Sequence, residues 1–331
     1  VLDPIATRLT TPLAPIGLLV LALGLCGILP ITFSPATSES KAGSCIPDNL
    51  RDQPNVIIVM VDTLRADHLS CYGADINTPN LCRLTQGGTT YQAFSHASWT
   101  KPATASLLTS TLPSTHQTMS KPSSLPGDLT LISEAMQEAG YTTGGVVSNV
   151  NLAESFGFAQ GYDDYYYLGP DYIAYAEESS SKLIVYQLAR QVFLGIAGGD
   201  EVRFNDFYQD SKVVNETAFE WIDRRKDDRF FLFLHYMDPH DPYFEHPYNG
   251  VGIARVSMQE PKPEIADRLQ DLYRGEIEYL DVQFGDLLAK LDALGLYDDT
   301  VIVVTADHGE EFNEHGGFWH GLTLYAEQIH V

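Results

Sequence analysis

Three stretches of the chain carry apolar residues almost without a polar break: residues 56–61 (Val-Ile-Ile-Val-Met-Val), 230–236 (Phe-Phe-Leu-Phe-Leu-His-Tyr) and 301–305 (Val-Ile-Val-Val-Thr). A half-buried strand alternates apolar and polar positions. Unbroken runs of β-branched and aromatic residues predict strands covered on both faces, as in a parallel sheet. Residues 141–148 give a fourth, weaker strand. Between these runs apolar positions recur at helical spacing. The clearest case is residues 263–294, with Leu269, Leu272, Ile277, Leu280, Phe284, Leu287, Leu288 and Leu291 on one stripe. Helices are also predicted over residues 102–109 and 129–139 and in a long region around 182–225. There is no internal repeat. Strands alternating with helices predict an α/β domain, a three-layer α/β/α sandwich around a mixed, mostly parallel sheet.

Residues 16–29 form a separate apolar run, preceded by Arg8 and followed by Pro30 and a Ser/Thr/Pro/Gly-rich stretch over 32–44. A terminal run without a polar face reads as a signal peptide or an N-terminal membrane anchor rather than a core helix. The expected organisation is residues 1–33 as that leader, 34–53 as a linker and 54–331 as a catalytic domain. The chain starts at Val1 rather than Met and stops at Val331 within an apolar stretch, so it reads as part of a longer protein. Export, with the domain facing away from the cytoplasm and possible membrane association through the leader, is the expectation. Cys26 lies in the apolar run, which leaves Cys45, Cys71 and Cys82 for one disulfide of unspecified pairing. None has the spacing of a zinc site.

Composition narrows the chemistry. With 20 Lys+Arg against 44 Asp+Glu, the formal charge is −24, which excludes nucleic acid as a partner because phosphate backbones need basic side chains. An apolar fraction of 44% is enough for a sizeable core. An anionic substrate would need a locally positive spot on so acidic a chain, and a bound metal ion would supply one.

Candidate ligands follow the strong strands: Asp62 after the first, Asp238 and His240 after the second, Asp307 and His308 after the third. Open α/β sheets bind ligands at the carboxyl ends of their strands, so segments distant in sequence can meet there. Each Asp alone could simply cap a helix. Together Asp62, Asp307 and His308 form a mixed oxygen and nitrogen set suited to one divalent ion, Ca, Mn, Zn or Mg. Pro102 predicts a helix start that places Thr100 and Lys101 at its N-terminus, where free N–H groups favour an anion. Locally Thr100 is equally a cap or a nucleophile.

The chain resembles the sulfatase branch of the alkaline phosphatase superfamily from about residue 55 to 331. The resemblance is carried by Val61-Asp-Thr-Leu-Arg-Ala-Asp-His-Leu-Ser-Cys-Tyr-Gly73, Leu107-Leu-Thr-Ser-Thr-Leu-Pro-Ser-Thr-His116, Gly140-Tyr-Thr-Thr with Ser148-Asn149, His235-Tyr-Met-Asp-Pro-His-Asp-Pro-Tyr243, Thr305-Ala-Asp-His-Gly-Glu310, and Glu314-His-Gly through His320-Gly-Leu-Thr-Leu-Tyr325. It implies an alkaline phosphatase-like fold, with Asp62, Asp307 and His308 as metal ligands and Thr100 as a nucleophile that also touches the metal. His240 would contact the substrate anion or its leaving oxygen, with His320 and Lys101 as further catalytic candidates and His240, Asp238 and Lys101 as substrate contacts. The chain departs from sulfatases in three ways. Thr100-Lys-Pro-Ala-Thr104 replaces a Cys/Ser-x-Pro-x-Arg motif, so neither the residue oxidised to formylglycine nor the arginine is present. Asp62-Thr63 replaces a paired Asp-Asp. No Asp-x-x-x-His spacing supports a second metal. The expected activity is therefore attack by Thr100 on a small-molecule, lipid-headgroup or glycan phosphate ester, with hydrolysis or transfer following. A sulfatase proper, or a non-catalytic metal- or glycan-binding protein, are the alternatives.

Overall fold

The computed structural model describes residues 46–170, 208–250 and 252–331. The apolar run at 16–29, Cys26 and Cys45, and the part of the predicted long helix before residue 208 lie outside them. No helix among the described residues is long and apolar enough to cross a membrane.

Five strands make the central sheet: β1 (Asn55–Val61), β2 (Thr142–Val147), β3 (Asp164–Tyr167), β4 (Phe230–Tyr236) and β7 (Thr300–Ala306), in the order β3-β2-β4-β1-β7. All four pairings are parallel, so among the described residues the five-stranded sheet holds no antiparallel member. Two short antiparallel pairs lie apart from it, β5 (Tyr243–Phe244) with β6 (Gly252–Ile253) and β8 (Glu311–Phe312) with β9 (Phe318–Trp319).

Successive side chains of a strand point to opposite faces, and β1 divides accordingly. Ile57, Val59 and Val61 pack with Leu232, Leu234 and Tyr236 against the helices α5 (Ser211–Arg225) and α6 (Ala266–Ala293), including Trp221, Ile277, Leu280 and Phe284. Ile58 and Met60 pack with Phe231 and Phe233 against Ala105 and Leu108 of α2 (Thr100–Thr109) and beside α4 (Ile132–Ala139). Helices therefore cover both faces of the sheet, the three layers that the alternation predicts. Three short helices, α1 (Pro79–Arg83), α3 (Pro113–His116) and α7 (Ala326–Ile329), complete the described set.

Two sequence expectations change. Asp164–Tyr167, where no strand is predicted, is edge strand β3, with Asp164 accepting from Trp221 Nε1 (2.9 Å) and Arg225 Nη2 (3.0 Å). Among the described residues strand β7 is not covered on both faces: it is the other edge of the sheet, and its Val301 and Val303 are 46% and 43% exposed. Cys71 and Cys82 form the disulfide, with Cα atoms 5.4 Å apart. Asn215, which begins an Asn-Glu-Thr sequon, is buried on α5, its amide held by Gln283 O and Tyr236 Oη.

Candidate active site

Strand β1 lies between β4 and β7, and Val61 is in register with both Tyr236 and Ala306. Whatever follows those three residues must meet at one end of the sheet. Asp62 and Asp307 do, buried, with the Asp62 N–H donating to Tyr236 O at 2.8 Å. Thr63 turns the chain sharply with φ 58°, a left-handed conformation that costs a branched residue of order 1–3 kcal/mol. That turn aims its N–H at Asp307 Oδ1 (3.2 Å), and Tyr273 Oη clasps it through Thr63 O (2.7 Å) and Arg65 N (2.9 Å). Arg65 then braces the segment after β7, donating to Glu310 O (2.9 Å) and pairing with Glu314 (2.6 Å). Gly309 sits against this frame so closely that a Cβ would lie 2.1 Å from Glu327 O, so no other residue fits.

Thr100 is the first residue of α2, and the cap position belongs to Trp99. Its hydroxyl lies 3.3 Å from Asp62 Oδ2 and 3.4 Å from His308 Nε2. His308 Nδ1 bonds Gly309 O (2.9 Å), which turns Nε2 toward Asp62 Oδ1 (3.5 Å) and Asp307 Oδ2 (3.4 Å). The four metal-type residues expected from sequence, Asp62, Thr100, Asp307 and His308, thus converge.

Two further residues complete the cluster. His235, on β4, brings Nε2 to 3.4 Å from Asp62 Oδ2. Its place in an apolar run hid it, because a histidine there reads as core. Asn149, after β2, donates to Asp62 Oδ2 (2.8 Å) and lies 3.4 Å from Thr100 Oγ1. The Ser-Asn pair was part of the family resemblance, but nothing local marked its role.

Asp62, His235 and Asp307 each present a ligand atom, all within 4.8 Å of one another. Asp62 Oδ1, Asp307 Oδ2 and both His235 ring nitrogens are buried without a hydrogen-bond partner. Burial raises both carboxyls, but His240, His235 and His308 pull Asp62 far below its ordinary range, while burial and the Asp62 anion hold Asp307 well above it. Two such carboxylates can ionise together only beside a cation. Burial, reinforced by His320, drops His308 to about 3, so its imidazole is neutral, the form that binds metals. These residues fit a divalent ion.

His240 stands at the edge of the cluster with Nδ1 on Asp241 O (2.6 Å). Burial lowers its pKa, but Asp62, Asp241 and Glu310 outweigh that and raise it. The His320 ring lies 5.0 Å from that of His240 and 4.6 Å from that of His308. Lys101 and Asp238 are turned elsewhere. The Lys101 ammonium donates to Lys121 O and to Ser123 O (3.1 Å) over the Phe156 ring, because a buried ammonium needs carbonyl partners and finds them beside α2. Asp238 accepts from Ser211 N (3.1 Å) and Oγ (3.0 Å) at the start of α5, where burial with Asp210 and Glu276 pushes it up to about 8. As placed, neither touches the cluster.

Comparison with known proteins gives the fold and family. The chain is 24% identical to human iduronate 2-sulfatase over 349 residues, covering 89% of this chain and 60% of that protein. The chain thus spans about three-fifths of the length of such relatives. Over 107 residues it is 36% identical to the low-salt glycan biosynthesis sulfotransferase Agl7 of Haloferax volcanii, covering 31% of this chain and 25% of that one. The crystal structure of a phosphonate monoester hydrolase of Agrobacterium radiobacter superposes with a TM-score of 0.65 at 20% identity, over 84% of this chain and 67% of that one. That match carries the fold alone. The sulfatase family model matches residues 54–331, the whole of the sheet and the cluster at its end, and the chain belongs to the sulfatase family.

Proposed function

We propose that the protein is a metal-dependent hydrolase or transferase in which Thr100 Oγ1 attacks the central atom of a singly charged sulfate or phosphate ester. The observation that carries this reading is the placement of that hydroxyl. It opens helix α2, where the dipole favours an anion, within 3.4 Å of Asp62 and His308 and beside unpartnered carboxylate oxygens. The new bond forms from Oγ1 to sulfur or phosphorus as the ester bond breaks and its electron pair leaves with the alcohol. The hydroxyl proton departs along its contact to Asp62 Oδ2, since the Nε2 lone pair of His308 would be taken by the metal ion. Water or an acceptor alcohol then takes the group from Thr100. A divalent ion held by Asp62, His235, Asp307 and His308 would supply positive charge to the ester oxygens. His240 and His320 flank the same space and would hold the leaving side of the substrate.

Charge supports the substrate class. Thr104 stands where the motif of sulfatases carries arginine, and the Lys101 ammonium is spent on backbone carbonyls. Neither supplies a fixed cation, so a monoanion (a sulfate monoester or a phosphate diester) suits the site better than a dianionic phosphate monoester. The sulfatases among its relatives put sulfate first. Threonine at the nucleophile, which cannot become formylglycine, supports phosphate as the second reading. Similarity to a sulfotransferase over part of the chain supports transfer beside hydrolysis.

The test is turnover of paired aryl sulfate, phosphate diester and phosphate monoester by protein stripped of metal and resupplied with Ca, Mn, Zn or Mg, beside Thr100→Ala. Metal-dependent turnover of a monoanion is expected, reduced in the mutant by about 1,000-fold or more. Preference for the dianionic monoester would overturn the charge argument. Unchanged turnover in Thr100→Ala would overturn the nucleophile. Tight metal binding with no ester turned over would support a binding protein instead.

A further inference from the structure

Glu310 is a fully buried carboxylate that the attack described above does not use. Both of its oxygens lie 3.1 Å from His320 Nδ1, and Oε2 also accepts the Tyr243 hydroxyl at 2.7 Å. Its backbone carbonyl is held by Arg65, the residue that also ties the Asp62 segment to this one. The carboxylate is therefore fixed from two sides, and it fixes the histidine in turn. An imidazole whose Nδ1–H points into a carboxylate carries Nε2 on the opposite edge of the ring. The ring itself stands between His308 and His240, its centroid 4.6 and 5.0 Å from theirs.

We propose that Glu310 is a positioning residue for His320, and that it sets ring and tautomer so that Nε2 exchanges a proton with the ester oxygen of the departing alcohol. The inference rests on the Thr100 reading above. His320 starts as the imidazolium, with Nδ1–H on Glu310 and a second proton on Nε2. As the ester bond breaks, its electron pair stays on the alcohol oxygen, the Nε2 proton goes to it, and His320 is left neutral with Nδ1–H still on Glu310. In the second half, the attacking water or alcohol gives a proton back to Nε2. Glu310 stays an anion throughout and touches no reacting atom. Tyr243 holds Oε2 so that the carboxylate does not rotate away from the ring.

Such a role makes a prediction that a merely structural one does not, because only poor leaving groups need the proton. The experiment takes the full chain and compares two esters of the class it accepts, identical except that one carries a nitrophenyl and the other an alkyl leaving group. Glu310→Gln is expected to lower kcat/KM about 100-fold on the alkyl ester and less than about 3-fold on the nitrophenyl ester. His320→Ala is expected to show the same pattern, and the double variant to lose no more than His320→Ala alone. Tyr243→Phe, which removes one hydrogen bond from the carboxylate, is expected to give the pattern at smaller size and covers the case in which Glu310→Gln fails to fold. Equal losses on the two esters, or losses that add in the double variant, would overturn the proposal. If Thr100→Ala keeps full turnover, it is the nucleophile reading that fails. If Thr100→Ala is inactive and Glu310→Gln loses both esters equally, only the positioning role fails.

Discussion

His235 and Asp307 present buried ligand atoms within 4.8 Å of one another, and Asp307 Oδ2 and both His235 ring nitrogens have no hydrogen bond to satisfy them. Each such group costs about 1–3 kcal/mol when desolvated and unpaired, so their retention asks for a ligand. If His235 is a metal ligand, His235→Phe removes an unsatisfied imidazole from strand β4 and should leave the metal-stripped protein at least as stable as the parent. The same variant should bind the activating metal at least about 10-fold more weakly and gain less Tm when it is added. Titration calorimetry with thermal melts in both states checks this, and unchanged metal affinity would return His235 to the core. Asp62, Asp307 and His308 were legible because each directly follows a strand whose apolar run announces it. His235 was not, since the same run that identifies β4 disguises a polar residue inside it. Lys101 and Asp238 show the converse. Their positions beside the motif are right, but burial gives each of them backbone or helix-terminal partners, and a side chain's direction is set by what it must satisfy.

At the scale of elements, β1 and β4 were legible to within a residue because a continuous β-branched and aromatic run of strand length is what a parallel strand covered on both faces requires. Strand β7 has the same composition, and among the described residues it pairs on one side only, with β1. Strand β3 was missed because Asp-Tyr-Tyr-Tyr carries no apolar run, and its place is fixed by Gly144–Val147 of β2 and by the Trp221 and Arg225 contacts. The segment after β4 is tied to α6 by a pair the sequence did not announce. His246 Nε2 lies 2.8 Å from Glu276 Oε2, and its ring stacks on Tyr279 at 4.6 Å. Burial alone would lower the His246 pKa, but Glu276, with Asp238 and Asp210 behind it, raises it above 6.5. A raised histidine contributes stability that is fully present below its unfolded value and is lost as pH rises through its folded one. Glu276 is itself raised by burial, against the pull of His246, so it adds a cost in the same direction as pH rises. His246→Gln should therefore lower Tm at pH 6 by about 2–4 °C and much less at pH 9, as about 1 kcal/mol of pairing is withdrawn. Thermal melts of both proteins across that range decide it, and an equal deficit at both ends would mean that packing on Tyr279, rather than charge, is what His246 contributes.

For the whole molecule the dominant fact is a formal charge of −24 on a protein whose candidate site must receive anions. Three-layer packing explains how the two coexist. The sheet carries its ligands inward to the ends of β1, β4 and β7, where burial and neighbouring histidines replace solvent, while most of the acidic excess lies elsewhere on the chain. An anionic substrate approaching this surface meets repulsion at long range and attraction only within the site. Salt screens the first more than the second, because the Debye length falls from about 30 Å at 0.01 M to about 8 Å at 0.15 M, whereas buried contacts are only a few ångströms long. For a charged ester, kcat/KM should therefore rise about 3-fold between those ionic strengths at fixed metal concentration, while kcat changes little. The opposite slope would mean that positive charge at the site reaches past the acidic surface and steers the substrate in. That result would require a cation beyond the divalent ion and the histidines, and the search for it would begin on the loops that carry His240 and His320.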